Sequence, residues 1–139
     1  MFMKAPFDQI GSIAIVEIPK EQQRQATKQI AAQIIAANKH IVSVYAKGSA
    51  MAGKYRVRKL TFLAGKKTTL TTYKESNCTF QLDVAKVYFS PRLAFERTRI
   101  ASQVKSGEKI LALFAGVGPF PIVIAKKLKT EHKTAEIIA

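Results

Sequence analysis

The stretch ILALFAGVGPF, residues 110–120, decides how this chain is interpreted. It contains an apolar run, two glycines at positions 116 and 118, and a proline suited to the first turn of a helix. A strand, a tight turn and a helix in this order open the ligand site of doubly wound α/β proteins. A further strand is predicted at 133–138, so residues 106–139 read as a β-α-β unit, the first of a parallel sheet.

The glycine turn favours one class of ligand over another. Gly116 and Gly118 allow a tight turn and close approach of the backbone to a ligand. The third glycine of the dinucleotide fingerprint is missing, and Pro121 stands instead. The pattern therefore favours the shorter G-x-G turn of S-adenosylmethionine enzymes over a phosphate cradle, with a plain strand-to-helix turn as the alternative. Glu136, about 20 residues on, is either the acid that binds ribose hydroxyls at the end of the second strand or an exposed acid.

Charge is the strongest signal in the composition. The 139 residues carry a formal net charge of +14, and no acidic residue lies between Glu21 and Glu75. This interval predicts a surface that attracts polyanions. A nucleic-acid-binding surface is favoured over the alternative, a basic face that is only solvated. A strand predicted at 55–65 alternates apolar and cationic positions, so one of its faces presents cations. The candidate RNA-binding residues here are Lys54, Arg56, Arg58, Lys66 and Lys67.

Residues up to Val84 predict a small α+β module with an antiparallel sheet. Its predicted elements are strands at 11–18, 40–46 and 55–65, a helix at 20–38, and a hairpin around Asn77. The single cysteine, Cys78, is predicted to be a small core residue. One cysteine and a start unlike a secretory signal predict a reducing, cytoplasmic setting.

A helix predicted at 90–104 carries a second group of candidates. Ser90 is its expected cap and Pro91 its first residue, and the stripe of Leu93, Ile100 and Val104 is expected to pack. Arg97 lies beside this stripe, so it must pair with an acid, reach solvent or face a ligand. On the far side we expect a cluster suited to RNA phosphates and an unstacked base, or an ordinary exposed face; it consists of Arg92, Phe95 and Arg99.

The run KVYFSPRLAFERTRIASQVKSGEKILALFAGVGPFPIVIAKK, residues 86–127, resembles a known family. It is similar to the archaeal and eukaryotic tRNA guanine-N1 methyltransferases that act on position 37, relatives of the wybutosine-pathway aminocarboxypropyl transferases. FDQIGSIAIVEIP and YKESNCTFQLDV resemble the same family's middle domain, so the likeness covers nearly the whole chain.

The resemblance implies that two parts of the chain have different functions. Residues 1–105 would be a tRNA-gripping α+β domain with its linking helix, and residues 106–139 would begin a Rossmann-like class I methyltransferase domain. Arg97 would act in catalysis beside the cofactor and the target base. The implied S-adenosylmethionine-binding residues are Arg97, Phe114, Gly116, Val117, Gly118 and Glu136.

Several departures from the family pattern keep other interpretations open. Ala112 replaces an acid of the first strand, Pro121 replaces a serine, and the Asn-Pro-Pro-Tyr motif is absent. We therefore expect a truncated chain, completed by a missing C-terminal segment or a second chain and inactive when isolated. The alternatives are a non-catalytic tRNA-binding module, an aminocarboxypropyl transferase, and a protein that only associates through its exposed sheet edge.

Overall fold

The computed structural model describes residues 6–18, 24–48 and 59–139. The chain forms two compact units: unit 1 comprises Met1–Tyr73 and Gln81–Val87, and unit 2 comprises Lys74–Phe80 and Tyr88–Ala139. The predicted functional boundary at residue 105 differs from this division and stays a prediction. The basic positions at 54, 56 and 58 lie outside the described residues.

Unit 1 contains a mixed four-stranded sheet in the order β1-β2-β3-β4. The β2–β3 pair is parallel, whereas β1–β2 and β3–β4 are antiparallel. The prediction of an antiparallel sheet is thus confirmed for two strand pairs and wrong for β2–β3, because a helix follows β2 and returns the chain so that β3 runs in the same direction. The elements are β1 (Phe7–Ile10), β2 (Ile13–Val16), α1 (Arg24–Ala37), β3 (Ser43–Lys47) and β4 (Leu60–Gly65).

The strand predicted at 11–18 is instead the second half of a hairpin. Gly11, at φ +56°, and Ser12 form the turn between β1 and β2. β1 escaped prediction because two of its four residues are polar and its pattern is short. A Cβ at Gly11 would lie 2.3 Å from both Thr71 Oγ1 and the Thr72 carbonyl oxygen. The turn thus packs directly on the strand that begins at Leu70.

The core of unit 1 lies between α1 and the sheet. All four residues of β2 are buried, and two of them, Ala14 and Val16, pack in the cluster that α1 shares with the sheet. α1 contributes apolar residues at helical spacing, as the sequence predicted for 20–38. The buried cluster consists of Ala14, Val16, Ile30, Ala31, Ile34, Ile41, Val44 and Ala46.

The hairpin predicted around Asn77 is confirmed. β5 (Leu70–Glu75) and β6 (Cys78–Asp83) form a two-stranded sheet. Ser76 and Asn77 connect them with φ of 47° and 56°, the left-handed pair that a tight two-residue turn requires. Cys78 is buried, as predicted, and burial raises the pKa of its thiol. The residues of the hairpin are divided between units 1 and 2.

Unit 2 contains two helices and a parallel strand pair. One 3₁₀ turn (Pro91–Leu93) precedes α2 (Ala94–Gln103), and α3 (Pro119–Thr130) connects β7 (Lys109–Leu111) to β8 (Glu136–Ile138). β7 and β8 pair in parallel, so the last 31 residues form a β-α-β unit. The helix predicted from 90 begins as a 3₁₀ turn, and the Ser90 side chain makes no capping hydrogen bond.

The close approach at Gly11 yields a stability prediction. We expect Gly11→Ala to lower the free energy of unfolding by about 2–4 kcal/mol, because the new Cβ adds a steric clash to an unfavourable φ. Gly107 is the matched control, since its φ is +84° and a Cβ there would meet nothing within 4 Å. Gly107→Ala should cost only about 1 kcal/mol. Equal losses in urea unfolding would contradict the packing argument.

Candidate functional site

The predicted glycine turn lies between the carboxyl end of β7 and the start of α3. Three of its residues have left-handed backbone: Phe114 at φ 54°, Gly116 at 59° and Gly118 at 72°. The Gly118 N–H donates to the Ala115 carbonyl at 2.8 Å, and Gly118 then occupies the N-cap position of α3 without any side-chain cap. The chain therefore folds back tightly at the strand end where doubly wound proteins bind ligands.

The turn is open on its outer side. A Cβ at Gly116 would meet nothing within 4 Å, so the space beside this backbone is available to a ligand. Phe114 is fully exposed and holds a left-handed conformation that non-glycine residues rarely adopt. Such conformations cluster at functional sites, where other interactions maintain them.

The start of α3 is poorly suited to hold a phosphate. Anion sites at helix N-termini depend on the free N–H groups of the first turn. Pro119 and Pro121 have no N–H, and the Ile122 N–H donates to the Gly118 carbonyl. This composition agrees with the choice of a G-x-G turn over a phosphate cradle.

Glu136 is not brought to the turn. It is the first residue of β8 and pairs with Lys109, the first residue of β7, with an Nζ–Oε2 distance of 3.3 Å. Because the strands are parallel, both lie at the amino end, and the glycine turn follows the carboxyl end. The expectation that Glu136 ends the second strand is wrong; the sequence placed the strand start at 133, and the structure begins it at 136.

Arg97 is buried in an ion pair and does not line an open site. Its guanidinium donates to both carboxylate oxygens of Glu75, with an Nη2–Oε2 distance of 2.7 Å, and Arg97 and Glu75 side chains are 1% and 6% exposed. Nη2 also donates to the Ser90 carbonyl at 3.1 Å, and the guanidinium lies 5.1 Å from the Phe89 ring centroid. Of the alternatives left open by the sequence, the structural partner is the one observed.

The surroundings of Arg97 correct the predicted packing of its helix. The buried residues of α2 are Arg97 and Ala101. Leu93 lies in the preceding 3₁₀ turn and is 40% exposed, so the predicted stripe of Leu93, Ile100 and Val104 is not the buried face. Sequence spacing could not show this, because Glu75 is separated from Arg97 by 22 positions on a different element.

The predicted RNA-binding residues that are described lie in both units. In unit 2, Phe95 is 80% exposed, and Arg99 is exposed and donates to Glu96 at 2.8 and 2.6 Å. Arg92 is exposed but lies in the 3₁₀ turn rather than on α2. In unit 1, Lys66 and Lys67 are exposed between β4 and β5. Arg99 is thus engaged in an exposed ion pair with Glu96.

Unit 2 also has a cleft that the sequence did not predict. Its volume is about 270 Å³, and it lies between the β5–β6 turn, α2 and α3. Glu131 at its edge accepts hydrogen bonds from Lys127 and, at 2.8 Å, from Lys133. Within the described ranges, no cluster of three or more potential metal ligands is found, and no helix is long and apolar enough to cross a bilayer.

Comparison with known proteins identifies the class. Residues 71–137 match the TRM5/TYW2 methyltransferase domain, and residues 3–68 match the TYW2 N-terminal domain. The fold and the glycine turn are thus those of a methyltransferase. The chain belongs to the TRM5/TYW2 family, which confirms the resemblance seen in the sequence.

Individual relatives are similar over most of this chain. It is 48% identical to the tRNA (guanine(37)-N(1))-methyltransferase Trm5b of Pyrococcus abyssi, over 91% of this chain and 38% of the relative. It is 43% identical to the tRNA (guanine(37)-N(1))/4-demethylwyosine(37)-methyltransferase Taw22 of Nanoarchaeum equitans, over 94% and 43%. A solved complex of aTrm5 with tRNALeu matches with a TM-score of 0.80 at 33% identity, over 96% of this chain and 46% of that one. The chain thus spans about two fifths of these relatives.

The buried ion pair yields a prediction for unit 2. We expect Glu75→Gln to destabilise the protein by about 3 kcal/mol, because it leaves the Arg97 guanidinium buried beside a neutral partner. Glu96→Gln, which breaks the exposed Arg99 pair, is the matched control and should change stability little. The double variant Glu75→Leu/Arg97→Met should recover much of the loss. Equal unfolding midpoints for Glu75→Gln and Glu96→Gln would refute this assignment.

The carboxyl group of Glu131 yields a prediction about pH. Hydrogen bonds from Lys127 and then Lys133 lower its pKa from the ordinary 4.5 to about 2. Since the folded pKa lies below the unfolded one, the stabilisation is fully present above pH 4.5 and is lost as the pH falls toward 2. Carboxyl NMR should show Glu131 titrating near 2 in the wild type and near its ordinary value in Lys127→Gln/Lys133→Gln. A normal value in the wild type would contradict the pairing.

Proposed function

We propose that this chain is the tRNA-gripping part and the start of the catalytic domain of a tRNA (guanine37-N1)-methyltransferase. Identity of 48% to the Pyrococcus enzyme supports the reaction, and likeness to a tRNA-bound homologue supports the substrate class. In this proposal residues 1–105 bind tRNA, and residues 106–139 begin the methyltransferase domain. The protein would act in the cytoplasm, where its substrate is found.

The observation that carries the proposal is the open glycine turn at the carboxyl end of β7. S-adenosylmethionine would supply the methyl group and lie against the backbone of Gly116, Val117 and Gly118, with Phe114 beside it. The open space at Gly116 fits such a ligand, and the prolines of α3 fit a cofactor without phosphates. Arg97 would then be a positioning residue that holds the 3₁₀ turn and α2 through Glu75 and Ser90.

Methyl transfer to N1 of guanine also requires a group that accepts the N1 proton. Glu75 is bonded to Arg97, and Glu136 lies at the amino end of β8 beside Lys109. Both acids are thus engaged in ion pairs, and we infer that the proton acceptor is a different group.

An uncovered sheet face supports completion by further polypeptide. Leu111 and Ile138 are cross-strand neighbours and are 64% and 55% exposed, with Leu113 beyond them 70% exposed. Parallel sheets are covered on both faces, because crossover connections place helices there. The rest of the domain, in the same polypeptide or a second chain, would bury these residues.

The test uses the protein with its methyltransferase domain complete. We expect methyl transfer from labelled S-adenosylmethionine to a tRNA transcript with guanine at position 37, and none to a transcript with adenine there. Gly116→Ala should weaken cofactor binding at least about tenfold, because its Cβ occupies the ligand space, and leave tRNA affinity unchanged. Gly107→Ala, with the same sign of φ and an open surrounding, is the control. No transfer by the complete protein would favour a non-catalytic tRNA-binding module.

A second candidate substrate is 4-demethylwyosine at the same position, which the Nanoarchaeum relative's name includes. Offering the complete protein both tRNAs separates the two substrates. Mass spectrometry of the product nucleoside separates a methyl group from an aminocarboxypropyl group, and the latter would place the protein in the other branch of the family.

A further inference from the structure

Two of the described acids of unit 1 lie near the carboxyl end of β3. There Lys47 Nζ lies 3.0 Å from Asp8 and 3.6 Å from Glu17. Ser43 is the other end of the same strand, about 13 Å away for an extended chain. The residues around Ser43 carry a different balance of charge.

Two connectors are held side by side at the Ser43 end. Ser43 pairs with Ile13 on one edge and with Gly65 on the other. The Lys66 N–H donates to the Val42 carbonyl at 2.7 Å, and the Ser43 hydroxyl donates to the Lys66 carbonyl. The start of the β4–β5 connector (66–69) is therefore joined to the α1–β3 connector (38–42) by one backbone hydrogen bond and to β3 by the Ser43 hydroxyl.

These connectors bring together four basic side chains. Each of the four is exposed, and they form two adjacent pairs that are more than 25 residues apart in the sequence. We call these residues the connector cluster: Lys39, His40, Lys66 and Lys67. Of the described acids of unit 1, Asp8 and Glu17 contact Lys47. Asp83 lies beside the β4–β5 connector, where it accepts a hydrogen bond from Thr69, and it also contacts Lys86 and accepts a hydrogen bond from the Ala85 N–H.

We propose that the connector cluster is a binding site for the phosphodiester backbone of RNA. Lysines on exposed connectors are point charges suited to phosphates, and the fixed backbones reduce the entropy lost on binding. Both connectors belong to the interval between Glu21 and Glu75 that contains no acidic residue. Among the described residues of the two connectors, Val42 is the large apolar residue that is exposed. This favours a polyanion over a lipid surface.

This inference rests on tRNA being the partner, and it adds two residues, Lys39 and His40, that no sequence motif connects to Lys66 and Lys67. The connector cluster would contact phosphates and need not contact the bases. The cluster would position the RNA relative to unit 1, as phosphate contacts do in general.

The experiment measures binding of the 139-residue chain to a tRNA transcript at several salt concentrations. The variant is Lys39→Gln/Lys66→Gln/Lys67→Gln, and the matched control is Lys28→Gln/Lys105→Gln/Lys129→Gln, which removes the same charge from exposed lysines elsewhere. We expect the cluster variant to lose about tenfold or more in affinity at low salt and to lower the slope of log K against log [salt] by about 2. Replacing the three lysines with arginine should restore both, and adding His40→Ala should weaken binding further.

The outcomes are distinguishable. Wild-type binding with equal losses in the two variants would overturn the cluster while leaving the tRNA partner intact. If the wild-type chain bound no tRNA, the proposed tRNA partner would itself fail. Binding to vesicles of phosphatidylcholine and phosphatidylserine that is lost in the cluster variant, without tRNA binding, would reassign the cluster to a membrane surface.

Discussion

The buried ion pair between Arg97 and Glu75 organises unit 2. A guanidinium that is 1% exposed is tolerable only when its donors are satisfied, and here a carboxylate, the Ser90 carbonyl and the Phe89 ring surround it. The pair joins Arg97, the first buried residue of α2, to Glu75 at the end of β5. It also fixes the short turn from which α2 begins, since Ser90 directly precedes Pro91. α2 packs against α3, which begins directly after the glycine turn. The position of α2 beside the start of α3 therefore depends on this ion pair.

The second constraint is the parallel pairing of β7 and β8. Parallel strands require a crossover, and α3 supplies one, which leaves the glycine turn at the carboxyl end of β7. The same arrangement leaves the Leu111–Ile138 face exposed, since one crossover helix covers one face. The open turn and the uncovered face are thus two consequences of one topology.

In unit 1 the pairing of the strands determines where several charged residues lie. The mixed pairing of β2, β3 and β4 places Asp8 and Glu17 with Lys47 at one end of β3 and the two connectors at the other. A net charge of +14 attracts any polyanion, but where on the surface it acts depends on this sorting.

The sequence by itself determined the family, the glycine turn, the β-α-β tail and the hairpin at Asn77, because these depend on short-range patterns of glycine, proline and hydrophobicity. It also showed that the chain carries a net charge of +14, which attracts polyanions. Only the tertiary structure decided that Glu75 neutralises Arg97, that Glu136 starts rather than ends its strand, and that β2 and β3 run parallel. It alone joined the connector that carries Lys39 to the connector that carries Lys66. Each of these depends on strand register or on contacts between distant elements, and register is set by how hydrophobic faces pack, which no local pattern of residues records.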